Sequence, residues 1–251
     1  MRTLILCLGH KSCAAAFFED HCIVEVHTVK TSPFPAQKIE EWIKQPLSSV
    51  LVSAEVKEEE LLTAAILKKA GINFQIVKPE KRSLRIDPYA PVDLGNARLA
   101  AMYGALYNHP GKDCIIITID RVVSIDCITK DRYFLGGALL PDIELQRYAL
   151  SENIANMPLV ESIKPSSYLG QSKQKSVQSG LYYGFLGSLE KMISLYKKGH
   201  VDLEAIVIAT GCFFEKMAGS HDLAKDIEKI VDYFEPDLIY LGLEQMRIEK
   251  L

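Results

Sequence analysis

The chain has 251 residues, 48% of them hydrophobic and 24% charged, which is enough apolar material for one large core or two smaller ones. A formal net charge of −3 excludes a whole-protein attraction to nucleic acid or to an anionic membrane. No run approaches the roughly 18 apolar residues of a membrane helix, and the apolar start, Met1 to Leu8, lacks the length and cleavage pattern of a signal peptide. A cytoplasmic protein with no nucleic-acid or membrane partner is expected.

The six cysteines are scattered (Cys7, Cys13, Cys22, Cys114, Cys127 and Cys212), and none forms a C-x-x-C pair. They read as structural thiols in a reducing compartment rather than as a zinc site. The basic cluster Lys78, Lys81, Arg82 and Arg85 reads as a solvated face.

Along the chain, Thr3 to Leu8, Ala14 to Phe18 and Cys22 to Val29 are apolar runs joined by short polar turns. They predict an antiparallel meander. A helix over Ala36 to Lys44, a strand at Val50 to Val52, an amphipathic helix over Lys57 to Lys69 stopped by Gly71, and a strand at Phe74 to Val77 follow. Lys78 to Asp93, rich in Pro and charge, suits a connector.

The second half repeats this order. Strands are predicted at Cys114 to Ile119, Val122 to Ile128 and Tyr133 to Leu135, then helices over Asp142 to Ala155 and Ser172 to Tyr196. A strand at Ala205 to Ala209 leads into Thr210-Gly211. Helices over Phe213 to Ala218 and Leu223 to Tyr233, a last strand at Leu238 to Leu241 and a short terminal helix complete the chain. The pattern β-β-β-α-β-α-β thus occurs twice, which predicts an α/β protein of two mixed-sheet halves, 1–111 and 112–251, with an interdomain cleft for a ligand. The long helix carries Val177, Leu181, Phe185, Leu189, Met192 and Leu195 at near-helical spacing. That stripe serves either a dimer interface or the monomer core.

Four segments of the second half carry a family resemblance. Phe134-Leu135-Gly136-Gly137-Ala138-Leu139-Leu140-Pro141 resembles Y-L-G-G-A-I-x-P-G in the type III pantothenate kinases. Ala149-Leu150 through Met157-Pro158-Leu159-Val160-Glu161 resembles their A-L-x-x-x-T-A-x-L-P-x-V segment. Gly170 with Gln178-Ser179-Gly180 and Gly184, and Asp237-Leu238 with Leu241-Gly242-Leu243, match two more in order and spacing. The resemblance implies the duplicated ribonuclease H-like fold of the actin-like ATPases. It also implies phosphorylation of pantothenate by ATP, the first step of coenzyme A biosynthesis.

It further implies where the site residues lie, and there the chain departs from the family. The first phosphate motif, D-x-G-N-T, resembles Cys7-Leu8-Gly9-His10-Lys11. Gly9 keeps the turn, with His10 and Lys11 on it as nucleotide contacts, but a thiol is no hard ligand for Mg²⁺. The second, D-x-G-T-A, resembles Asp120-Arg121-Val122-Val123-Ser124. Asp120 would help bind a cation, and Ser124 would face the nucleotide. Branched Val122 and Val123 stand where a phosphate should approach bare backbone. Asp126 matches a later strand-borne Asp of the family, or is a structural carboxylate.

The third motif, G-x-D-R, resembles Gly95-Asn96-Ala97-Arg98, with Ile86-Asp87-Pro88-Tyr89 as its lead-in. Gly95, Arg98 and Tyr89 would contact the substrate. Ala97 replaces the general base, and a methyl group cannot accept a proton. Asp93 is a weak substitute for it, or a helix cap. The fourth, T-G-G, resembles Thr210-Gly211-Cys212, at the adenosine.

The implied cofactors are ATP with Mg²⁺ and a monovalent cation, K⁺ or NH₄⁺. Because phosphoryl transfer rests on positioning and charge stabilisation, the departures predict weak or altered kinase activity. The alternative is an inactive pseudokinase that binds a small-molecule ligand or a protein partner. A third reading, a different small-molecule kinase or nucleotide hydrolase using Cys7, His10 or Lys11, rests only on the unusual residue types. The family implies a homodimer, and a mixed dimer with an active paralogue extends that expectation.

Overall fold

The computed structural model describes residues 2–9, 12–78, 84–85, 94–199, 204–211 and 221–249. Tyr89, Asp93, His10, Lys11, Cys212 and the helix expected at Phe213 to Ala218 lie outside them. The described chain forms two compact units, one of 1–108 with 237–251, the other of 109–236.

In the first unit, β1 (Arg2–Leu8), β2 (Ser12–Glu19) and β3 (Cys22–Lys30) form the expected meander. β4 (Ser49–Ala54) lies parallel to β1, and β5 (Phe74–Ile76) parallel to β4, giving the order β3-β2-β1-β4-β5. The two-residue turn between β2 and β3 places Asp20 and His21 at φ of 48° and 66°, the double left-handed turn that suits the twist of a hairpin. Alternation sends Leu4, Leu6 and Leu8 of β1 to one face. There they join Phe17, Val50, Val52 and, from α1 (Ala36–Trp42) and α2 (Lys57–Lys69), Ile39, Trp42 and Leu67. Each such side chain is worth about 1.5–3 kcal/mol when fully buried. Glu58, Glu59 and Glu60 at the start of α2 and Lys68 and Lys69 at its end suit the helix dipole. Beyond lies α3 (Asn96–Asn108).

The second unit repeats the topology. β6 (Cys114–Ile119), β7 (Val122–Ile128) and β8 (Phe134–Pro141) form a meander, and β9 (Ile206–Thr210) lies parallel to β6. With β10 (Tyr233–Phe234) outside β9, its order, β10-β9-β6-β7-β8, is that of the first sheet. One face carries Ile115, Ile117, Ile119, Ile125, Val207 and Ala209. α4 (Ile143–Asn153) begins at Asp142, whose buried carboxylate accepts the Leu145 N–H at 2.6 Å. Such a cap contributes about 1 kcal/mol. α5 (Lys173–Gly199) spends Leu181, Phe185 and Leu189 on the core of its own unit, with Leu223 and Ile227 of α6 (His221–Glu228). Of the stripe noted above, Leu195 is exposed.

Two expected elements are corrected. The last strand, β10, is Tyr233–Phe234, parallel to β9, where a helix was expected to run on to Tyr233. Leu238 to Leu241, expected as a strand, begins the helix α7 (Leu238–Ile248), which groups with the first unit. Its buried Leu238, Gly242, Leu243 and Met246 follow helical spacing, and a four-residue apolar run alone cannot tell strand from helix. α7 packs on α3 at very short range. A Cβ on Gly104 would lie 2.3 Å from the Leu238 carbonyl oxygen, so only glycine fits there.

Beside β1, α7 also buries Glu244, which accepts from Arg247 Nη2 at 2.6 Å and meets His21 Nδ1 at 2.9 Å. Burial works against its charge, but the hydrogen bonds from Arg247 and His21 hold the carboxyl below its ordinary range.

Candidate functional site

In folds built on parallel strands, ligands bind beyond the carboxyl ends of those strands. In the first unit, β1 and β4 are the central parallel pair, with Leu8 opposite Ala54 at their carboxyl ends. Gly9 follows Leu8; its N–H donates to the Ser12 carbonyl at 2.9 Å, and its carbonyl accepts the Thr31 hydroxyl at 3.0 Å. Gly9, the glycine of the first phosphate motif, is therefore held through both its N–H and its carbonyl. Cys7 is half-buried.

Glu55 follows β4, and its N–H donates to the Leu8 carbonyl at 3.0 Å. Its side chain reaches the start of α3, where Oε1 accepts the Ala97 N–H at 3.0 Å. The helix has no acid in its first turn, so Glu55 supplies, from another element, the negative charge that a helix N-terminus favours. Gly95 has φ of +75°, and a Cβ there would come within 3.2 Å of Glu55 Oε2. Glycine at 95 is favoured both by its backbone angle and by the space the carboxylate occupies. Arg98 is half-buried on the same first turn. The third motif and the strand end beside the first are thus brought together through Glu55, a residue the sequence reading did not single out.

In the second unit, β6 and β9 are the central parallel pair, with Thr118 opposite Thr210. Asp120 follows β6 and is half-buried. Gly211 follows β9 with φ of +118°, and a Cβ on it would lie 2.2 Å from the Ile119 carbonyl oxygen. The fourth motif is thereby pressed against the strand end that carries Asp120. Ser124, paired with Thr118, donates its hydroxyl proton to Asp126 Oδ2 at 2.8 Å. Both are buried, and Gly137 opposite Asp126 leaves room for that carboxylate. Val122 is 46% exposed while Val123 is buried. The hydroxyls of Thr118 and Thr210 are buried with no hydrogen-bond partner among the described residues, a costly state that water or a ligand oxygen would relieve. Thr118, too, was hidden in sequence, inside a continuous apolar run.

Among the described residues, no group of three or more His, Cys, Asp and Glu is placed to hold a metal ion, and no helix is long and apolar enough to cross a membrane. The Cys13, Cys114 and Cys127 thiols are each pushed up to about 12, chiefly by burial, which removes them from nucleophilic chemistry.

Residues 11–195 match the family model for type III pantothenate kinase. The chain belongs to the type III pantothenate kinase family. It is 32% identical over 184 residues to a type III pantothenate kinase of Legionella pneumophila (strain Paris), covering 72% of this chain and 69% of that one. With type III pantothenate kinase 1 of Francisella tularensis subsp. holarctica (strain OSU18) it shares 32% over 199 residues, 78% and 73% of the two chains. Among solved structures, acetate kinase from Entamoeba histolytica superposes with a TM-score of 0.53 at 11% identity over 99% of both chains. The ethanolamine utilization protein EutJ from Carboxydothermus hydrogenoformans does so with 0.53 at 10%, over 97% of this chain and 89% of that one. The chain has the duplicated, actin-like α/β fold read from the sequence, two five-stranded mixed sheets of one topology, and these structures superpose on it.

Proposed function

We propose that this chain is a pantothenate kinase of low turnover, transferring the γ-phosphoryl group of ATP to the hydroxyl of pantothenate. The observation that supports the reading best is the family match. It runs through the second and third site motifs and is accompanied by a built arrangement at both strand ends, Gly9 and Glu55 with Gly95 in one unit, Asp120 with Gly211 in the other.

Low turnover follows from what lines those ends. Cys7 offers sulfur where Mg²⁺ prefers oxygen. Branched Val122 brings methyl groups to the turn after β6, while Val123 is spent on the core, and Ala97 has no proton acceptor. The Ser124 proton is already directed at Asp126. A magnesium ion that arrives with a triphosphate takes most of its ligands from phosphate and water and needs only one or two protein carboxylates. Asp120 fits that modest demand, and K⁺ or NH₄⁺ would sit near it; the metal would neutralise charge on the transferred group. The family resemblance further implies His10, Lys11, Thr210 and Gly211 as nucleotide contacts, and Tyr89 and Arg98 as pantothenate contacts. A homodimer in the cytoplasm is part of the same proposal, as is a mixed dimer with an active paralogue.

The test is ADP release by purified protein at micromolar concentration, with Mg²⁺ and K⁺, with and without pantothenate. Pantothenate-dependent ADP carries the reading. Its absence, together with calorimetric binding of pantothenate or Mg-ATP, favours the second reading, an inactive binding protein, for which Cys7 and Val122 are the specific observations.

A further inference from the structure

We infer that Glu55 is the base that takes the proton from the substrate hydroxyl; the inference rests on the kinase reading above. Phosphorylation of an alcohol calls for a carboxylate that orients the hydroxyl and accepts its proton. That carboxylate has to sit outside the carboxyl ends of the central parallel strands. Among the described residues of the first unit, Glu55 meets both requirements. It is the first residue past β4, and its backbone is tied to the last residue of β1 by the 3.0 Å bond to the Leu8 carbonyl. It is also exposed.

Its two oxygens have different surroundings. Oε1 is held by the Ala97 N–H at 3.0 Å, which fixes the carboxylate against the start of α3. Oε2 lies over Gly95, 3.2 Å from where a Cβ would stand, and has no hydrogen-bond partner among the described residues. One oxygen is thus anchored and the other is open. A carboxylate serving purely as a helix cap needs only the anchored one.

In the step itself, the hydroxyl oxygen forms a bond to the γ-phosphorus of the nucleoside triphosphate. The bond from that phosphorus to the β,γ-bridging oxygen breaks, and its electron pair leaves with the nucleoside diphosphate. The hydroxyl proton passes to Glu55 Oε2 and is returned to water after product leaves.

The experiment compares wild type, Glu55→Gln and Glu55→Asp in steady-state turnover of ATP with pantothenate, alongside thermal unfolding of each. Gln keeps an acceptor for the Ala97 N–H but accepts a proton far more weakly. Glu55→Gln is expected to lose about 10²-fold or more in kcat, with KM for pantothenate and the melting temperature near wild type. Glu55→Asp, which retains a carboxylate, is expected to recover part of that loss. Wild-type kcat in Glu55→Gln overturns the inference and leaves the kinase reading standing. So does a joint fall in melting temperature and kcat that Asp does not relieve, which marks a cap alone. A wild-type protein without turnover overturns the kinase reading, and the inference with it.

Discussion

Gly242 of α7 meets Ala100 of α3 backbone to backbone: a Cβ on residue 242 would stand 1.7 Å from the Ala100 carbonyl oxygen. No rotamer relieves a clash with main chain, so the two helices must separate to admit even one methyl group. Gly242→Ala is expected to cost about 3 kcal/mol or more, read as a lowered urea midpoint. Gly187, on the exposed side of α5 with nothing within 4 Å of its missing Cβ, is the control. There alanine is expected to stabilise by about 0.5–1 kcal/mol.

A second prediction concerns acid. Asp226 accepts from Lys164 at 2.7 Å, Lys229 at 2.6 Å and Tyr182 at 2.8 Å. The hydrogen bond from Lys164, then those from Lys229 and Tyr182, hold its carboxyl well below the usual range. A depressed folded value means the stabilisation is complete above the unfolded carboxyl value near about 3.9 and fades as pH falls through it toward the folded value. Asp226→Asn should therefore be less stable than wild type at neutral pH, with the gap closing below about pH 4. Denaturant unfolding across pH 2–7 reads this directly.

Thiol reactivity separates the cysteines. Cys22 is exposed, while Cys13, Cys114 and Cys127 are buried with thiols pushed up to about 12. A thiol reagent at neutral pH is expected to label Cys22 in the folded protein and these three only after unfolding. Peptide mapping of the labelled sites checks it.

The β1 end provides a gain-of-function test. If the Cys7 thiol limits turnover by denying the metal a hard oxygen, Cys7→Asp should raise kcat by on the order of tenfold or more, the effect typical of a restored charge stabiliser. Pantothenate-dependent ADP release measures it.

Both meanders were legible because continuous apolar runs such as Cys114–Ile119 announce buried strands. The turn residues Gly9 and Gly211 were legible because glycine at a strand end has few other uses. Glu55 was not: its bond to Ala97 spans 42 residues, and locally it is one acid in the run Glu55-Val56-Lys57-Glu58. Nor was the Ser124–Asp126 bond, since a polar residue in a strand does not disclose its partner. The misread of 238–241 has the same root. The helix packs on α3, at Gly104 and Ala100, well over a hundred positions away, and a four-residue apolar run does not disclose that contact.

The grouping of 237–251 with 1–108 has a consequence for synthesis. The first unit begins to leave the ribosome before the second, yet the helix that fills its groove at Gly104 is translated after everything in 109–236. Domains generally fold as units, amino-terminal first. Here the face of α3 at Ala100 and Gly104 stays uncovered until the carboxyl-terminal segment emerges. The second unit, continuous in sequence, is free to mature ahead of it.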